Sequence, residues 1–271
     1  RPIRPRGWSP LRLCGEEENR TMRRHGILNL SAWSLALLLV LQPFPASGQD
    51  ASEILKQVDA NLMPGSFEAY RKLVNEEPDG KKREFIFYTV KKDKDKMALL
   101  YLAPASDRGR ATLRLGDNMW LYIPNVGRPI RITSLQSVVG GVFNNADIMR
   151  LDYSEDYDAS LLEETEAAYV LDLRAKSKDV AYDRLKMWVH KDPVVVTKVE
   201  CYAASGMLIK ALLFKEIQDF GDGVVRPAVL ETTSPLYKGY RSLMIYSRIE
   251  LRTFPDEVFT LDYLSRLSEL R

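Results

Sequence analysis

The sequence has few of the residues on which catalytic and metal-binding sites most often depend. Its 271 residues include two cysteines and two histidines, and only Cys201 and His190 lie beyond residue 48. That part of the chain therefore cannot form an intramolecular disulfide, and it offers a single imidazole as a general base. A Gly-x-Ser-x-Gly nucleophile elbow is also missing. We interpret Cys201 as a packed small hydrophobe and His190 as a solvated turn residue, and we expect neither catalysis nor a cofactor.

One acidic stretch is the only candidate for a metal site in the sequence. Its oxygen-bearing side chains fall at positions 1, 3, 5, 7, 9 and 12 of a calcium-binding loop. They are Asp152, Ser154, Asp156, Asp158, Ser160 and Glu163. However, Tyr157 occupies the position where such a loop needs glycine for its sharp turn. We therefore predict a solvated acidic loop and no metal, with calcium binding as the open alternative.

The chain also lacks an excess of charge of one sign. Of its 39 Lys and Arg residues seven lie in the first 48 residues, as do three of its 37 Asp and Glu residues. The rest of the chain therefore has 32 basic and 34 acidic residues, a net charge of −2. A nearly neutral protein gives no electrostatic reason to expect nucleic-acid binding.

The apolar run at residues 35–41 is too short to span a bilayer comfortably. It follows Met22 and the basic pair Arg23 and Arg24, and residues 46–48 supply small side chains after it. This order is typical of a secretory signal peptide, and a membrane anchor is the alternative. We predict an upstream extension at residues 1–21, a signal peptide at 22–48 cleaved near Gly48, and a single exported domain at 49–271.

Beyond residue 50 the dominant pattern is a succession of short apolar-rich runs between turn residues, which predicts antiparallel strands. Helices are predicted at residues 51–62, where Ser52 can cap the first turn, and at 261–270. The predicted strands are 67–75, 83–91, 96–103, 110–115, 119–123, 129–133, 169–175, 184–191, 194–202, 208–220, 224–232 and 242–251.

Residues 134–150 break this rhythm. Val138, Val139, Val142 and Phe143 recur at helical spacing, although a glycine pair at 140–141 weakens the helix by about 1 kcal/mol per glycine. We predict a loose amphipathic helix or lid that crosses one face of the sheet. The fold class that follows is mainly β with helices (α+β). We expect a strongly curved antiparallel sheet that forms an incomplete β-barrel, with helices covering its concave face and leaving an apolar groove.

Several segments together resemble the LolA-like outer-membrane lipoprotein-sorting family. The most specific are residues 108–113 and 117–124, followed by Arg128 and by Arg131-Ile132. Residues 176–182, 186–189, 206–210, 226–227 and 259–264 match later parts in the same order, so that the resemblance covers about residues 51–271. Residues 141–147 depart from the segment that many relatives carry after the arginine turn, which puts the cargo in doubt.

The resemblance implies an incomplete barrel with a helical lid and a hydrophobic cavity. It also implies a periplasmic carrier that shields acyl chains of lipoproteins or phospholipid during transfer toward the outer membrane. The partners implied are an inner-membrane releasing complex and an outer-membrane acceptor. An envelope-lipid sensor of the same fold and a lipid hydrolase that uses His190 are the other hypotheses.

Apolar and aromatic side chains are the usual lining of a lipid cavity. The candidate lipid contacts are Trp120, Tyr122, Val138, Val139, Val142, Phe143 and Trp188, and ordinary core packing is the alternative for each. Arg128 and Arg131 are candidate headgroup contacts at the mouth of the groove, with exposed strand ends as the alternative.

Overall fold

The computed structural model describes residues 50–271. The extension and signal peptide predicted at residues 1–21 and 22–48 lie outside the described residues. Residues 50–271 contain three α-helices, α1 (Ala51–Leu62), α2 (Asn145–Met149) and α3 (Tyr153–Asp156). Two 3₁₀ helices, Asp256–Phe259 and Asp262–Leu270, follow near the C-terminal end of this range. None of the helices among residues 50–271 has the length and apolar character needed to cross a membrane.

The first six strands precede α2. They are β1 (Phe67–Glu76), β2 (Lys82–Lys92), β3 (Lys96–Ala103), β4 (Ala111–Leu115), β5 (Asn118–Tyr122) and β6 (Pro129–Ile132). Seven more follow α3. They are β7 (Tyr157–Glu164), β8 (Ala168–Ala175), β9 (Arg184–Lys191), β10 (Val194–Tyr202), β11 (Leu208–Asp219), β12 (Val225–Thr233) and β13 (Arg241–Leu251).

All thirteen strands form one antiparallel sheet in the order β6-β5-β4-β3-β2-β1-β13-β12-β11-β10-β9-β8-β7. The pairing of β1 with β13 joins the two halves, and β6 and β7 form opposite edges. The two edges do not pair, so the curved sheet stays an open barrel. Because β6 and β7 are consecutive in the chain, the residues between them must cross the sheet from one edge to the other. The predicted fold class is confirmed.

One face of the sheet forms a continuous apolar core from edge to edge. It includes Met119 on β5, Leu73 on β1 and Tyr157 on β7, all in one cluster. Side chains from distant strands can meet in this way only inside the curve, so we call this the inner face. Helix α1 packs there through Ile54 and Val58, against strands β7, β10 and β12. Its first turn is capped by Asp50 and not by Ser52, because the Asp50 carboxylate accepts from the Ser52 amide.

The outer face of β2–β4 has a separate apolar cluster. The C-terminal cover (residues 254–270), which contains both 3₁₀ helices, packs there through Phe259, Tyr263 and Leu264 against Tyr88 and Leu100. The helix predicted at 261–270 is a 3₁₀ helix, Asp262–Leu270, and it lies on the convex side. The helices that cover the concave face are α1–α3.

Two predicted elements near the middle of the chain were wrong in detail. Of residues 134–150, only Asn145–Met149 is helical, since the chain folds back at residues 137–144, where the Val138 amide donates to the Phe143 carbonyl at 2.8 Å. Residues 152–163 are not an irregular acidic loop. They form α3 and most of β7, whose pairing with β8 satisfies their backbone groups.

Candidate functional site: the crossing segment and its groove

The crossing segment (residues 134–149) lies over the inner face between the two sheet edges. Its side chains Val138, Phe143, Ile148 and Met149 are buried in the inner core. Their burial explains why the segment stays on the sheet although only its last five residues are helical. Polar contacts, which the sequence pattern did not indicate, fix its position.

A buried ion pair ties the segment to β11. The Lys210 ammonium donates to the Asp147 Oδ2 at 2.8 Å and to the Val142 carbonyl at 2.6 Å. The Tyr182 hydroxyl donates to the other Asp147 oxygen at 2.7 Å, and the Asn144 amide donates to that hydroxyl at 2.9 Å. Burial, followed by the neighbouring Asp147 charge, raises the pKa of Tyr182 well above its usual value. The phenol therefore stays protonated and serves as a donor.

The same aspartate also starts helix α2. Asn144 and Asp147 form a reciprocal capping box, in which the Asp147 amide donates to the Asn144 side chain at 3.0 Å and the Asn144 amide donates to the Asp147 carboxylate at 2.9 Å. Asp147 thus links local helix formation to the tertiary contact with Lys210. Loss of either would weaken both.

A second contact lies at the centre of the sheet. The Val142 amide donates to the Ser242 hydroxyl at 2.9 Å, and that hydroxyl donates to the Asn75 side chain at 2.7 Å. Gly141 packs directly on Asn75, because a Cβ at position 141 would lie 2.1 Å from the Asn75 Oδ1. Only glycine allows the backbone to come this close.

Buried arginines hold the far end of the segment. Arg71 donates to the Ile148 carbonyl at 3.0 Å, and Arg114 donates to the Met149 carbonyl at 3.0 Å. These carbonyls belong to the last turn of α2, where unsatisfied oxygens favour a positive charge. Arg114 also pairs with Asp152 at 3.3 Å. The Ile148 and Met149 carbonyls therefore each have a charged donor from the sheet.

Arg71 is coupled to a second buried arginine through Tyr246. The Arg226 guanidinium lies 4.2 Å from the Tyr246 ring centre and that of Arg71 lies 5.5 Å from it. Arg226 donates to the carbonyl of Leu62 at the end of α1. Burial alone would raise the pKa of Tyr246, but Arg226 and Arg71 outweigh burial and lower it. Among residues 50–271 neither arginine has a carboxylate at ion-pair distance, so helix-end carbonyls and the phenol stabilise both charges.

A cavity of about 350 Å³ lies between the crossing segment and strands β3–β6. The sheet contributes Tyr101, Arg110, Thr112, Leu121 and Ile132, and the segment contributes Gln136, Ser137, Val138, Val139 and Asn145. Its size is at the lower end of the range for small-molecule sites. Half of these residues are apolar or aromatic and half are polar, and Arg110 supplies the one guanidinium, an arrangement that can hold a chain with a polar end.

On the opposite side of α2 the inner face is almost filled. The remaining space of about 20 Å³ is bordered by Tyr153, Tyr182, Cys201 and Leu212. The Tyr153 hydroxyl there has no hydrogen-bond partner within the described chain, and burial raises its pKa well above the usual value. Burial likewise raises the pKa of the Cys201 thiol well above its usual value. Cys201 is thus an inert, packed side chain.

Val139 has a strained backbone at the edge of the cavity. Its φ of 46° lies in the left-handed region, which β-branched residues rarely adopt. Gly140 follows with a φ of 73°, and the two residues form the tip of the fold-back. An aspartate or asparagine would tolerate this conformation better than valine does. Strained backbone conformations cluster at functional sites, so a left-handed valine here indicates a functional role for its apolar side chain in the cavity wall.

The predicted lipid contacts separate into two groups. Val138, Val142 and Phe143 are buried beneath the segment, and Val139 lines the cavity. Trp120 and Tyr122 instead pack with the outer cluster, because Met119 and Leu121 take the inward positions of β5. Trp188 also faces outward, between the ammonium groups of Lys186 and Lys198.

The two candidate headgroup arginines lie at the β6 edge. Arg128 is exposed in the turn before β6, and Arg131 donates to the Asn118 side chain. Neither borders the cavity, whereas Arg110 does. His190 lies at the end of β9, with its Nδ1 3.4 Å from the Pro193 carbonyl.

The acidic residues considered as calcium ligands do not share a loop. Asp152 pairs with Arg114, and Asp156 forms a bidentate pair with Arg150 at 2.6 Å. Asp158 and Glu163 lie on strand β7. Within residues 50–271 no group of three or more His, Cys, Asp or Glu side chains is placed to hold a metal ion.

Comparison with known proteins assigns the chain to a family. A family model described only as an uncharacterized protein matches residues 93–266. The crystal structure of a LolA superfamily protein from Nitrosomonas europaea is 30% identical in sequence, with a TM-score of 0.72, over 80% of this chain and 100% of that one. This chain belongs to the LolA superfamily.

Two further solved structures share the LolA-superfamily fold. A DUF1329 family protein from Desulfovibrio piger has a TM-score of 0.71 at 22% identity, over 79% of this chain and 97% of its own. A domain from Vibrio parahaemolyticus, named for outer membrane lipoprotein sorting, has a TM-score of 0.68 at 20% identity, over 80% of this chain and 98% of its own. No curated protein matches the sequence.

Sequence reasoning missed the buried charges of this LolA-superfamily groove. Lys210 shares the inward phase of β11 with Leu212 and Phe214, and Arg71 shares that of β1 with Leu73. A charged residue in the apolar phase of an alternating strand is a visible signal, because such a residue needs a buried partner. The partner itself, Asp147, follows only from the path of the crossing segment.

Proposed function

We propose that this protein is a periplasmic carrier that shields acyl chains of lipoproteins or phospholipids during transfer toward the outer membrane. One observation carries the proposal. An apolar inner face runs from edge to edge of an open sheet, and it is covered by a segment that is mostly non-helical and held by a few polar contacts. The name of the Vibrio parahaemolyticus domain, which refers to lipoprotein sorting, supports this reading.

In this proposal the structure is the closed form. Movement of the crossing segment away from the sheet would expose the inner core, and an acyl chain would take the place of Val138, Phe143 and Ile148. Each CH₂ group that leaves water contributes about 0.8 kcal/mol. Exposure of the three displaced side chains costs about 1.5–3 kcal/mol each, so only the CH₂ groups beyond that cost offset the loss of the Lys210 and Arg71 contacts. Water would reach those groups once the segment moved.

The cavity of about 350 Å³ is the entry point that we favour. It already separates the segment from β4–β6, so an acyl chain can enter there without first breaking the Asp147–Lys210 pair. Arg110 on its wall pairs with Asp107 and would be the first cation that a phosphate or carboxylate headgroup meets. Contacts of Arg128 and Arg131 with a headgroup remain predictions.

Transfer needs a donor and an acceptor. We propose an inner-membrane releasing complex and an outer-membrane acceptor in these roles, with the open edge between β6 and β7 as the side from which cargo leaves. A carrier of this kind performs no chemistry, and His190 at the far end of β9 has no part in it.

The proposal is tested by extracting the protein purified from cells and identifying bound lipids by mass spectrometry. We expect a stoichiometric acyl lipid and binding of a fluorescent fatty-acid probe. Val139→Asp adds a charge to the cavity wall at a backbone conformation that aspartate tolerates better than valine. We therefore expect this variant to stay folded and to bind the probe about tenfold or more weakly.

Leu135→Asp is the matched control, because Leu135 is exposed in the same segment and does not line the cavity. It should bind the probe as the unmodified protein does. A lipid-free protein that also fails to bind the probe would rule out a carrier. Equal probe binding by Val139→Asp and Leu135→Asp would show that the lipid site is not this cavity.

A further inference from the structure

The loop between β12 and β13 projects large apolar side chains into solvent. Its six residues from Pro235 to Tyr240 are all exposed. Leu236 has a relative exposure of 51% and Tyr237 of 60%, and Tyr240 is exposed as well. Single exposed apolar residues are ordinary, but a leucine and two tyrosines within five residues form a contiguous apolar tip.

This loop has an ordered backbone. The Tyr237 amide donates to the Ser234 carbonyl at 3.1 Å, and the Tyr240 amide donates to the Tyr237 carbonyl at 3.1 Å. The Ser234 hydroxyl accepts from the Leu236 amide at 3.2 Å and donates to the Ile209 carbonyl on β11. Two successive turns thus hold Leu236 and Tyr237 away from the sheet, so their exposure is built into the fold.

The loop rests on the turn between β1 and β2. Gly239 has a φ of 81°, and a Cβ there would lie 3.0 Å from the Cβ of Pro78, so the two turns are in direct contact. Within residues 50–271, Lys81 in this turn and Lys238 in the loop form no ion pair, and Asp79 is the exposed acid beside them. The other acids nearby are paired, Glu76 with Lys82 and Arg241, and Glu77 with Arg83.

The β1–β2 turn also contacts the crossing segment. Arg83, the second residue of β2, pairs with Glu77 at 3.1 Å and donates to the Gly140 carbonyl at the tip of the fold-back at 3.4 Å. The projecting loop, the β1–β2 turn and the fold-back therefore form one continuous rim of the barrel.

We propose that the β12–β13 loop docks this protein on an anionic phospholipid bilayer, with Leu236 and Tyr237 inserted at the interface and Lys238 and Lys81 facing the headgroups. Tyrosine and leucine flanked by lysine is the combination that the interface between acyl chains and headgroups accommodates. Anionic lipid adds attraction for the two unpaired lysines. Docking through this rim places the fold-back tip of the crossing segment next to the membrane surface.

Membrane docking through this loop is independent of lipid binding in the groove, because a protein with an empty groove could still bind a membrane through the loop. The test is flotation of the full chain with vesicles of phosphatidylethanolamine and phosphatidylglycerol. We expect the unmodified protein to float with the vesicles. Leu236→Ser and Tyr237→Ser should each weaken binding about tenfold, the effect of withdrawing part of one large side chain from the interface.

Leu162→Ser is the matched control, because Leu162 has a relative exposure of 50% on the edge strand β7, away from the rim. It should leave flotation unchanged. Lys238→Gln should weaken binding to the anionic vesicles about fivefold and leave any residual binding to phosphatidylcholine vesicles unaltered.

Three outcomes would overturn the proposal. They are failure of the unmodified protein to float, equal flotation of the loop variants, and equal loss in the Leu162→Ser control. If the loop binds a protein partner and not a membrane, the unmodified protein will fail to float with the vesicles. Both loop variants should keep the fluorescent fatty-acid binding of the groove, so failure of docking and failure of the carrier function are distinguishable.

Discussion

Strands β3 and β4 are covered on both faces, but the two covers are held in different ways. On the inner face, the crossing segment is fixed by the buried groups Asp147, Lys210 and Arg71 in addition to its apolar side chains. On the outer face, the C-terminal cover is fixed by packing of residues such as Leu264 and Leu267, and its ion pairs lie at the surface.

The two kinds of contact lose stability in different ways when they are disrupted. Apolar packing weakens gradually with lost area, whereas a buried ion pair is strongly destabilising once one partner is removed. A cover held by a few directional contacts can have two discrete positions, which a lid requires. The inner cover has this character and the outer one does not. The following changes test that contrast.

Lys210→Met should have the largest effect. It removes the only cation on Asp147 in the described part of the chain and leaves a buried carboxylate, at a cost of about 3–5 kcal/mol in the free energy of unfolding. Lys215→Met on the same strand is the control, since its ammonium is half exposed and Glu231 keeps Arg241 at 3.5 Å, so that this pair should contribute about 0–1 kcal/mol. Denaturant unfolding measures both. Equal losses would show that the buried pair has no special role.

Leu264→Ala should destabilise the protein by about 2–5 kcal/mol through the cavity that it leaves in the outer cluster. The same variant should bind the fluorescent fatty-acid probe normally, because it leaves the inner face intact. Leu261→Ala, at an exposed position of the same cover, should change neither quantity. Weakened probe binding in Leu264→Ala would mean that the two covers are coupled.

The pH dependence should differ in sign between the two faces. Burial raises the pKa of Asp59 on α1 to about 7, against the lowering effect of the Ser154 and Tyr153 amides. The folded state therefore holds this proton more tightly than the unfolded chain, whose value is about 3.8. Its contribution to stability is complete below pH 3.8 and is lost as the pH rises through 7.

Asp59→Asn should remove this dependence. Between pH 4 and 7 the free energy of unfolding of the unmodified protein should fall relative to the variant by up to about 1.4 kcal/mol per pH unit. Unfolding curves measured across this range provide the comparison. Parallel pH profiles for the two proteins would show that Asp59 ionises normally in the fold.

Asp256→Asn on the outer cover should have the smallest effect. Hydrogen bonds from Lys96 and Lys92 lower the pKa of this exposed carboxyl to about 2. Its contribution therefore has the opposite sign, present above the unfolded value and lost as the pH falls toward 2. Because the pair is exposed and screened by salt, thermal unfolding at neutral pH should be unchanged. A clear drop in the melting temperature of this variant would show that the ion pairs of Asp256 stabilise the outer cover.

The strands and the curved sheet could be predicted because alternation and turn residues are local signals. The crossing segment could not, since Val139 adopts a left-handed conformation that no local signal for valine indicates. Its helical spacing was accidental, and residues 137–144 fold back instead. The pairing of Asp147 with Lys210 joins residues 63 positions apart and has no local signal.

The site illustrates a second limit of sequence reasoning. Trp120 and Tyr122 are natural candidates for lipid contact because they are large and aromatic. The alternation of β5 places both on the outer face, however, and Leu121 lines the cavity instead. Their contact with lipid remains a prediction. The phase of β5 could not have been read from β4, because the polar Arg114 pairs with the inward Met119 whereas the apolar Leu113 pairs with the outward Trp120.

In the proposed carrier, the crossing segment leaves the inner face when an acyl chain binds. Amide hydrogen exchange of the full chain, with and without phosphatidylglycerol, measures this directly. Lipid should speed exchange at residues 137–149 and leave the C-terminal cover at 254–270 unchanged. Unaltered exchange at residues 137–149 in the presence of bound lipid would contradict it.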